Sequence, residues 1–127
     1  FVHLAVCHTL IAKLREPGAE WAPGAVQYQA SSPDELALAL GAKGAGFWFK
    51  RRAGALVEVV VGAQERAYAV LNVCEFNSSR KRMSCVVQGP GGGLTLLCKG
   101  ADSVIYSLLA PEARDAAVCE RTLRHLS

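Results

Sequence analysis

Arg82-Met83-Ser84-Cys85-Val86-Val87-Gln88-Gly89-Pro90-Gly91-Gly92-Gly93-Leu94-Thr95-Leu96-Leu97-Cys98-Lys99 is two apolar runs around a glycine-rich middle. Glycine at that density between two strand-like runs predicts a hairpin, with its strands antiparallel. Upstream, Gly46 to Arg52, Leu56 to Val61 and Ala67 to Phe76 also read as strands, separated by segments too short for a crossover. Consecutive strands with short connections imply antiparallel pairing throughout.

The flanks of this block read differently. Leu4, Cys7, His8 and Ile11 follow helical spacing, which predicts a first helix from Phe1 to about Leu14. Two prolines and two glycines between Glu16 and Gly24 mark a loop, and Val26 to Ala30 a short extended piece. Ser32-Pro33-Asp34-Glu35 is a helix start: Ser32 caps, proline suits the first helical position, and Glu35 completes a capping box. That helix runs through Leu40 to Gly44 or Gly46. Asp102 to Leu109 returns to helix. Pro111 opens a last one, with Arg121, Arg124 and His125 near its end, where the helix dipole favours cations. Helices gathered at both ends of a run of strands give an α+β fold, an antiparallel sheet of about six strands with helices packed against it. Residues 1–127 are expected to form a single domain.

Composition narrows the function classes. The 127 residues are 51% hydrophobic and carry a formal charge of +3, too weak a field to argue for nucleic acid or a membrane surface. The five cysteines, Cys7, Cys74, Cys85, Cys98 and Cys119, form no C-x-x-C pair and sit in apolar runs, which suits a reducing compartment. His3 and Cys7 stand one helical turn apart, but two ligands make no closed zinc site, and no metal site is expected. No apolar run approaches the ~18 residues of a membrane span and no signal peptide is visible, so a soluble, cytosolic piece is expected. Met83 is the only methionine and the chain opens at Phe1, which reads as a piece of a longer polypeptide.

The candidate site residues fall in three places. Phe76 is followed by Asn77-Ser78-Ser79-Arg80-Lys81-Arg82. The ring either closes a core strand or, at a strand end beside a polar cationic turn, offers a face on which a nucleotide base stacks. The three cations are either a solvated turn or phosphate-directed. In an extended segment Arg80 and Arg82 would share one side and Lys81 the other. Lys99-Gly100-Ala101-Asp102 places a lysine at a strand end before a glycine that lets backbone approach a ligand. It is no P-loop, since the GxxxxGK[ST] order is absent. Glu35 can cap its own helix or accept a hydrogen bond from an exocyclic amino group of a base.

Leu4-Ala5-Val6-Cys7-His8-Thr9, Tyr28-Gln29-Ala30-Ser31-Ser32-Pro33-Asp34-Glu35, Phe76 to Ser84, and Lys99-Gly100-Ala101-Asp102 occur in that order. Together they resemble the nucleotide-binding (N) domain of P4-type ATPases, the phospholipid flippases. The Lys-Gly-Ala part is shared by P-type ATPases at large, whereas Ser-Pro-Asp-Glu with Arg-Lys-Arg-Met-Ser is narrower. The resemblance implies a cytosolic domain of an integral membrane pump that binds Mg-ATP. Such a domain positions the γ-phosphate for an aspartate on a separate phosphorylation domain, and lipid moves between leaflets.

By motif, Phe76 would stack on adenine, Lys99 would line the pocket and Glu35 would approach the adenine edge. Lys81, Ser78 and Arg80 would lie along the phosphate path. The implied partners are ATP, the phosphorylation and actuator domains, and a phospholipid held by a membrane domain; nucleic acid is not among them. Leu36 departs from the small residue usual after Ser-Pro-Asp-Glu. The Asp-Lys-Thr-Gly phosphorylation motif and a downstream arginine motif are absent from this sequence. Nucleotide binding without hydrolysis is therefore expected of this chain alone. A rival expectation is a non-catalytic module whose Arg80-Lys81-Arg82 turn docks an acidic partner or nucleic acid.

Overall fold

The computed structural model describes residues 1–114 and Arg121. A short helix α1 (Val2–Val6) leads to strand β1 (Ile11–Leu14), which pairs antiparallel with β2 (Val26–Gln29) in a two-stranded sheet. Helix α2 (Pro33–Gly44) follows. Then β3 (Phe47–Ala53), β4 (Leu56–Val61), β5 (Gln64–Cys74), β6 (Arg82–Gln88) and β7 (Leu94–Gly100) form a five-stranded sheet in sequence order, every neighbour antiparallel. Helix α3 (Asp102–Leu108) and a 3₁₀ turn at Pro111–Ala113 complete the described chain. The fold is α+β, as the sequence implied.

Three expectations are corrected. The first helix does not run to Leu14; it stops at Val6, and the residues read as its second half form β1. His8 is the cause. Its Nε2 lies 2.8 Å from the Ala5 carbonyl and its Nδ1 accepts from the Leu10 N–H at 3.1 Å, so the imidazole takes groups a continuing helix would have paired. The ring thus carries its proton on Nε2. β2 consequently pairs with β1 and not with the main sheet, giving seven strands in two sheets where about six in one were expected. The helix expected from Pro111 is a 3₁₀ turn as far as Ala113; Arg121 is helical, while Arg124 and His125 lie outside the described residues.

The core lies between one face of the large sheet and the helical N-terminal half. Val6, Cys7 and Leu10 meet Phe49, Val57, Val59 and Val87 there, with Val26 and Tyr28 closing one side. The Tyr28 hydroxyl donates to the Phe49 carbonyl at 2.6 Å, so its one polar atom is paired inside. α2 turns Ala39 and Ala42 inward and leaves Leu38 and Leu40 exposed, which lets the helix lie close to β3. Gly46, with φ of +88°, makes the left-handed turn from α2 into β3. Gly41, in contrast, is helical and exposed, and a Cβ there meets nothing within 4 Å. Gly41→Ala is expected to raise stability by about 0.5–1 kcal/mol, read as a higher urea midpoint.

His8 also sets an acid limit. It is 2% exposed, and burial drives its imidazole down to about 4, aided by Arg52 and Lys99 and opposed by the Ala5 bond and Glu35. The unfolded chain takes this proton below about 6.5, the native one only near 4. Stability from neutral His8 is therefore whole above about 6.5 and is lost as pH falls toward 4. His3, lowered by burial first and then by Lys99 and the terminal amine, adds loss of the same sign. Urea unfolding is expected to show about 2 kcal/mol less stability at pH 5 than at pH 7. An unchanged midpoint across that interval would contradict a neutral His8.

Candidate functional site

At the N-terminal end of α2, Ser32 Oγ accepts from the Glu35 N–H at 3.4 Å, so the expected serine cap forms. The return half of the capping box does not. The Glu35 carboxylate instead accepts from the Thr9 N–H (2.9 Å) and the Thr9 hydroxyl (2.9 Å), and its Oε1 sits 3.5 Å from Lys99 Nζ. Thr9 follows directly on His8, so the early end of α1 is what aims these donors at Glu35. The two side chains of the ion pair are 17% (Lys99) and 11% (Glu35) exposed, deep enough for weak screening. Burial pushes the Glu35 carboxyl up. The Thr9 bonds, the Lys99 ammonium and His8 together outweigh it and hold the group below its ordinary value. Glu35 is therefore an anion at neutral pH.

Lys99 comes from β7, opposite Met83 of β6. The next residues bind the turn between β5 and β6 to this strand. The Ala101 N–H donates to the Lys81 carbonyl at 3.0 Å. A Cβ on Gly100 would stand 2.5 Å from that same carbonyl oxygen and 2.6 Å from Arg82 Cβ. Glycine is thus required sterically for Lys81-Arg82 to lie against β7.

The turn has its own internal order. Asn77 Oδ1 accepts from the Arg80 N–H (2.7 Å) and the Asn77 carbonyl from the Lys81 N–H (2.8 Å). Lys81 has φ of +51°, the left-handed region that non-glycine residues seldom enter. The expected alternation of Arg80 and Arg82 against Lys81 does not apply, because Arg80 lies in the turn and Lys81 is left-handed, so that the strand begins only at Arg82. Arg80 folds back on its own loop. Its guanidinium donates to the carbonyls of Cys74 (3.2 Å), Glu75 (3.3 Å) and Arg82 (3.4 Å) and to Ser84 Oγ (3.1 Å). β5 ends at Cys74, two residues sooner than expected, so Phe76 stands on the connecting segment and is 61% exposed.

Glu35, Phe76 and Lys99 line one cleft of about 1010 Å³. Ser78, Arg80 and Lys81 are not among its lining residues; Ser78 and Lys81 are exposed on the adjoining turn. The cleft also takes in Leu38, Ile105 and Tyr106, which sequence reasoning did not single out, His3, which it weighed only as a metal ligand, and Thr9 and Met83, which fell inside the quoted motif blocks. Chemically the arrangement is a largely apolar slot with an exposed aromatic face, one ammonium (Lys99) and four carboxylates, those of Asp34, Glu35, Glu75 and Asp102, with room for a planar ring.

A family model described as the cytoplasmic domain N of P-type ATPases matches residues 15–110. The chain belongs to the P-type ATPase N domains. Its relatives place it on the phospholipid-transporting, P4-type branch. It is 43% identical over 125 residues to phospholipid-transporting ATPase DRS2 of Saccharomyces cerevisiae, covering 97% of this chain and 9% of that protein. It is 46% identical over 120 residues to probable phospholipid-transporting ATPase 12 of Arabidopsis thaliana, covering 90% and 10%. It is 45% identical over 112 residues to phospholipid-transporting ATPase IC of Xenopus tropicalis, covering 88% and 8%. This N domain thus spans about a tenth of the length of the curated relatives it matches. No helix among its described residues is long and apolar enough to cross a membrane.

Proposed function

We propose that this N domain binds Mg-ATP in the cleft lined by Glu35, Phe76 and Lys99 and presents the γ-phosphate to an aspartate on a separate phosphorylation domain. In the whole pump, the resulting hydrolysis cycle moves a phospholipid between leaflets. The observation that carries the reading is the convergence of those three side chains, from three distant parts of the chain, on one cleft. Phe76 supplies the stacking face. Lys99, already beside Glu35, supplies a cation whose position is fixed before the ligand arrives. Ser78 and Lys81 extend the path on the exposed turn toward the phosphates, and Arg80 contributes by holding that turn. Among the described residues no three His, Cys, Asp or Glu side chains gather to hold a metal ion. In this reading the magnesium rides on the triphosphate, where it offsets phosphate charge, and its remaining ligands belong to other domains.

One ring and few cations make a weak site, with a Kd of roughly 0.1–5 mM, or about −3 to −5.5 kcal/mol. Titration of the isotope-labelled chain with Mg-ATP is expected to shift amides at Glu35, Phe76 and Lys99 together. No phosphate release is expected from the chain alone, which contains no Asp-Lys-Thr-Gly. Shifts confined to Arg80, Lys81 and Arg82, falling steeply with salt, would point instead to a basic docking turn. Against that rival stands the Arg80 guanidinium, whose donors are taken up by its own loop.

A further inference from the structure

Strand β3 carries an irregularity whose effect reaches the cleft. Phe49 lies opposite Val59 and Arg52 opposite Val57, and the register shifts between Phe49 and Arg51. Plain alternation would put Phe49 and Arg51 on one face and Arg52 on the other. The bulge inserts a residue and reverses this. Val57 and Val59 are fully buried, so Arg52 follows Phe49 onto the covered face of the sheet, while Arg51 turns the other way to pair with Glu58. A guanidinium brought to that face needs a partner, and it has one. Its Nη2 donates to the His8 carbonyl at 3.1 Å, with the charged group 6.0 Å from the Phe49 ring centroid. The His8 carbonyl and the Thr9 N–H belong to one peptide group. That group therefore accepts from Arg52 at one end and donates to Glu35 Oε1 at the other, at 2.9 Å. A cation on the carbonyl polarises the peptide and strengthens its N–H as a donor. Glu35 Oε1 is also the atom that stands 3.5 Å from Lys99 Nζ. Arg52, the His8–Thr9 peptide, Glu35 and Lys99 thus form one chain of contacts from β3 to β7.

We propose that Arg52 is a positioning residue of the cleft: by holding the His8–Thr9 peptide it fixes Glu35, and through Glu35 the Lys99 ammonium, where a nucleotide meets them. Arg52 is not among the residues that line the cleft, so it acts without touching the ligand. This assignment rests on the cleft being a nucleotide site, and goes beyond it in naming what sets its charged pair in place beforehand. The charged and titratable groups facing Glu35 are Lys99 from β7, His8 from the segment after α1 and Arg52 from β3. A change at Arg52 leaves the first two side chains as they are.

The test compares the chain with Arg52→Met and Arg52→Lys by NMR, following Thr9 amide exchange, the titration of the Glu35 carboxyl and Mg-ATP affinity. In Arg52→Met the Thr9 amide is expected to exchange several-fold faster and ATP affinity to fall roughly three- to tenfold. The Glu35 carboxyl should titrate at higher pH, because the Thr9 bonds that hold it down are loosened. Arg52→Lys, whose ammonium also donates to a carbonyl, should recover part of all three. A Thr9 amide and a Glu35 carboxyl that behave alike in the parent and in Arg52→Met would overturn the assignment, even with a lowered urea midpoint, and leave Arg52 as a fold element only. An ATP affinity identical in the two chains would overturn it as well. Should Arg52→Met lose its dispersed spectrum, the parent chain decides: Arg52 Nη protons that exchange as fast as those of an unrestrained guanidinium end the proposal. No ATP-induced shift at Phe76 or Lys99 in the parent chain would sink the nucleotide reading itself, and this assignment with it, whatever Thr9 does.

Discussion

Phe76→Ala is expected to remove measurable ATP binding from the chain while leaving its thermal midpoint where it was. The two halves of this expectation come from different observations. The ring is 61% exposed, and the segment carrying it is held by the Asn77 and Arg80 bonds, none of which involves the ring. Truncating an exposed side chain away from such anchors changes stability by about ±0.5 kcal/mol. Base stacking on an aromatic side chain, in contrast, is worth about 1–3 kcal/mol. Taken from a site near −3 to −5.5 kcal/mol, that loss leaves almost no affinity. Phe76→Trp should retain binding, since the flat face survives. Amide shifts during an ATP titration, paired with a melting curve, separate the outcomes. Unchanged shifts at Glu35 and Lys99 in Phe76→Ala would remove the stacking role. A melting point lowered by many degrees would instead make the ring a structural element.

What the sequence disclosed, and what it hid, follows the range of the interactions. β4 and β6 end where their apolar runs end, and the Gly89–Gly93 hairpin was readable because glycine acts on its own backbone. Ser32-Pro33 likewise marks the start of α2 through groups a few bonds apart. β1 was unreadable for a specific reason. Leu4, Cys7, His8 and Ile11 keep helical spacing, and nothing local announces that the His8 ring will take the Ala5 carbonyl and the Leu10 amide for itself. The site divides in the same way. Phe76 and Lys99 were singled out by residue type and setting, and the structure brings both to one cleft. That Glu35 would turn from its own helix end to Thr9 and Lys99 depends on partners 26 and more positions away, which spacing does not encode. Arg80 misled for a related reason. A run of three cations looks like a surface charge, yet its guanidinium spends its donors on carbonyls within six residues, a matter of loop geometry and not of composition.

Gly100→Ala is expected to damage the site more than a methyl group ordinarily would. At Gly93, which also lies outside the left-handed region, an added Cβ meets nothing within 4 Å and alanine should be nearly silent. At Gly100 the same atom arrives 2.5 Å from the Lys81 carbonyl oxygen, 2.6 Å from Arg82 Cβ and 2.8 Å from Arg82 Cα. Two of these are main-chain atoms and cannot rotate aside, so β6 and β7 must part locally, at a cost of about 1–3 kcal/mol. The place where they part matters more than the amount. The Lys81 carbonyl holds the Ala101 amide, and Lys81 is already in a strained left-handed conformation that persists only while its neighbours enforce it. Releasing it lets the turn swing away from β7, taking Phe76 away from Lys99. The variant should therefore lose stability moderately and ATP affinity by an order of magnitude or more, although no ligand-contacting side chain has changed. Comparison with Gly93→Ala in one urea series and one ATP titration isolates the effect. Equal behaviour of the two would mean that the contact between Gly100 and the Lys81 turn is slack, and that the geometry of the cleft is set elsewhere.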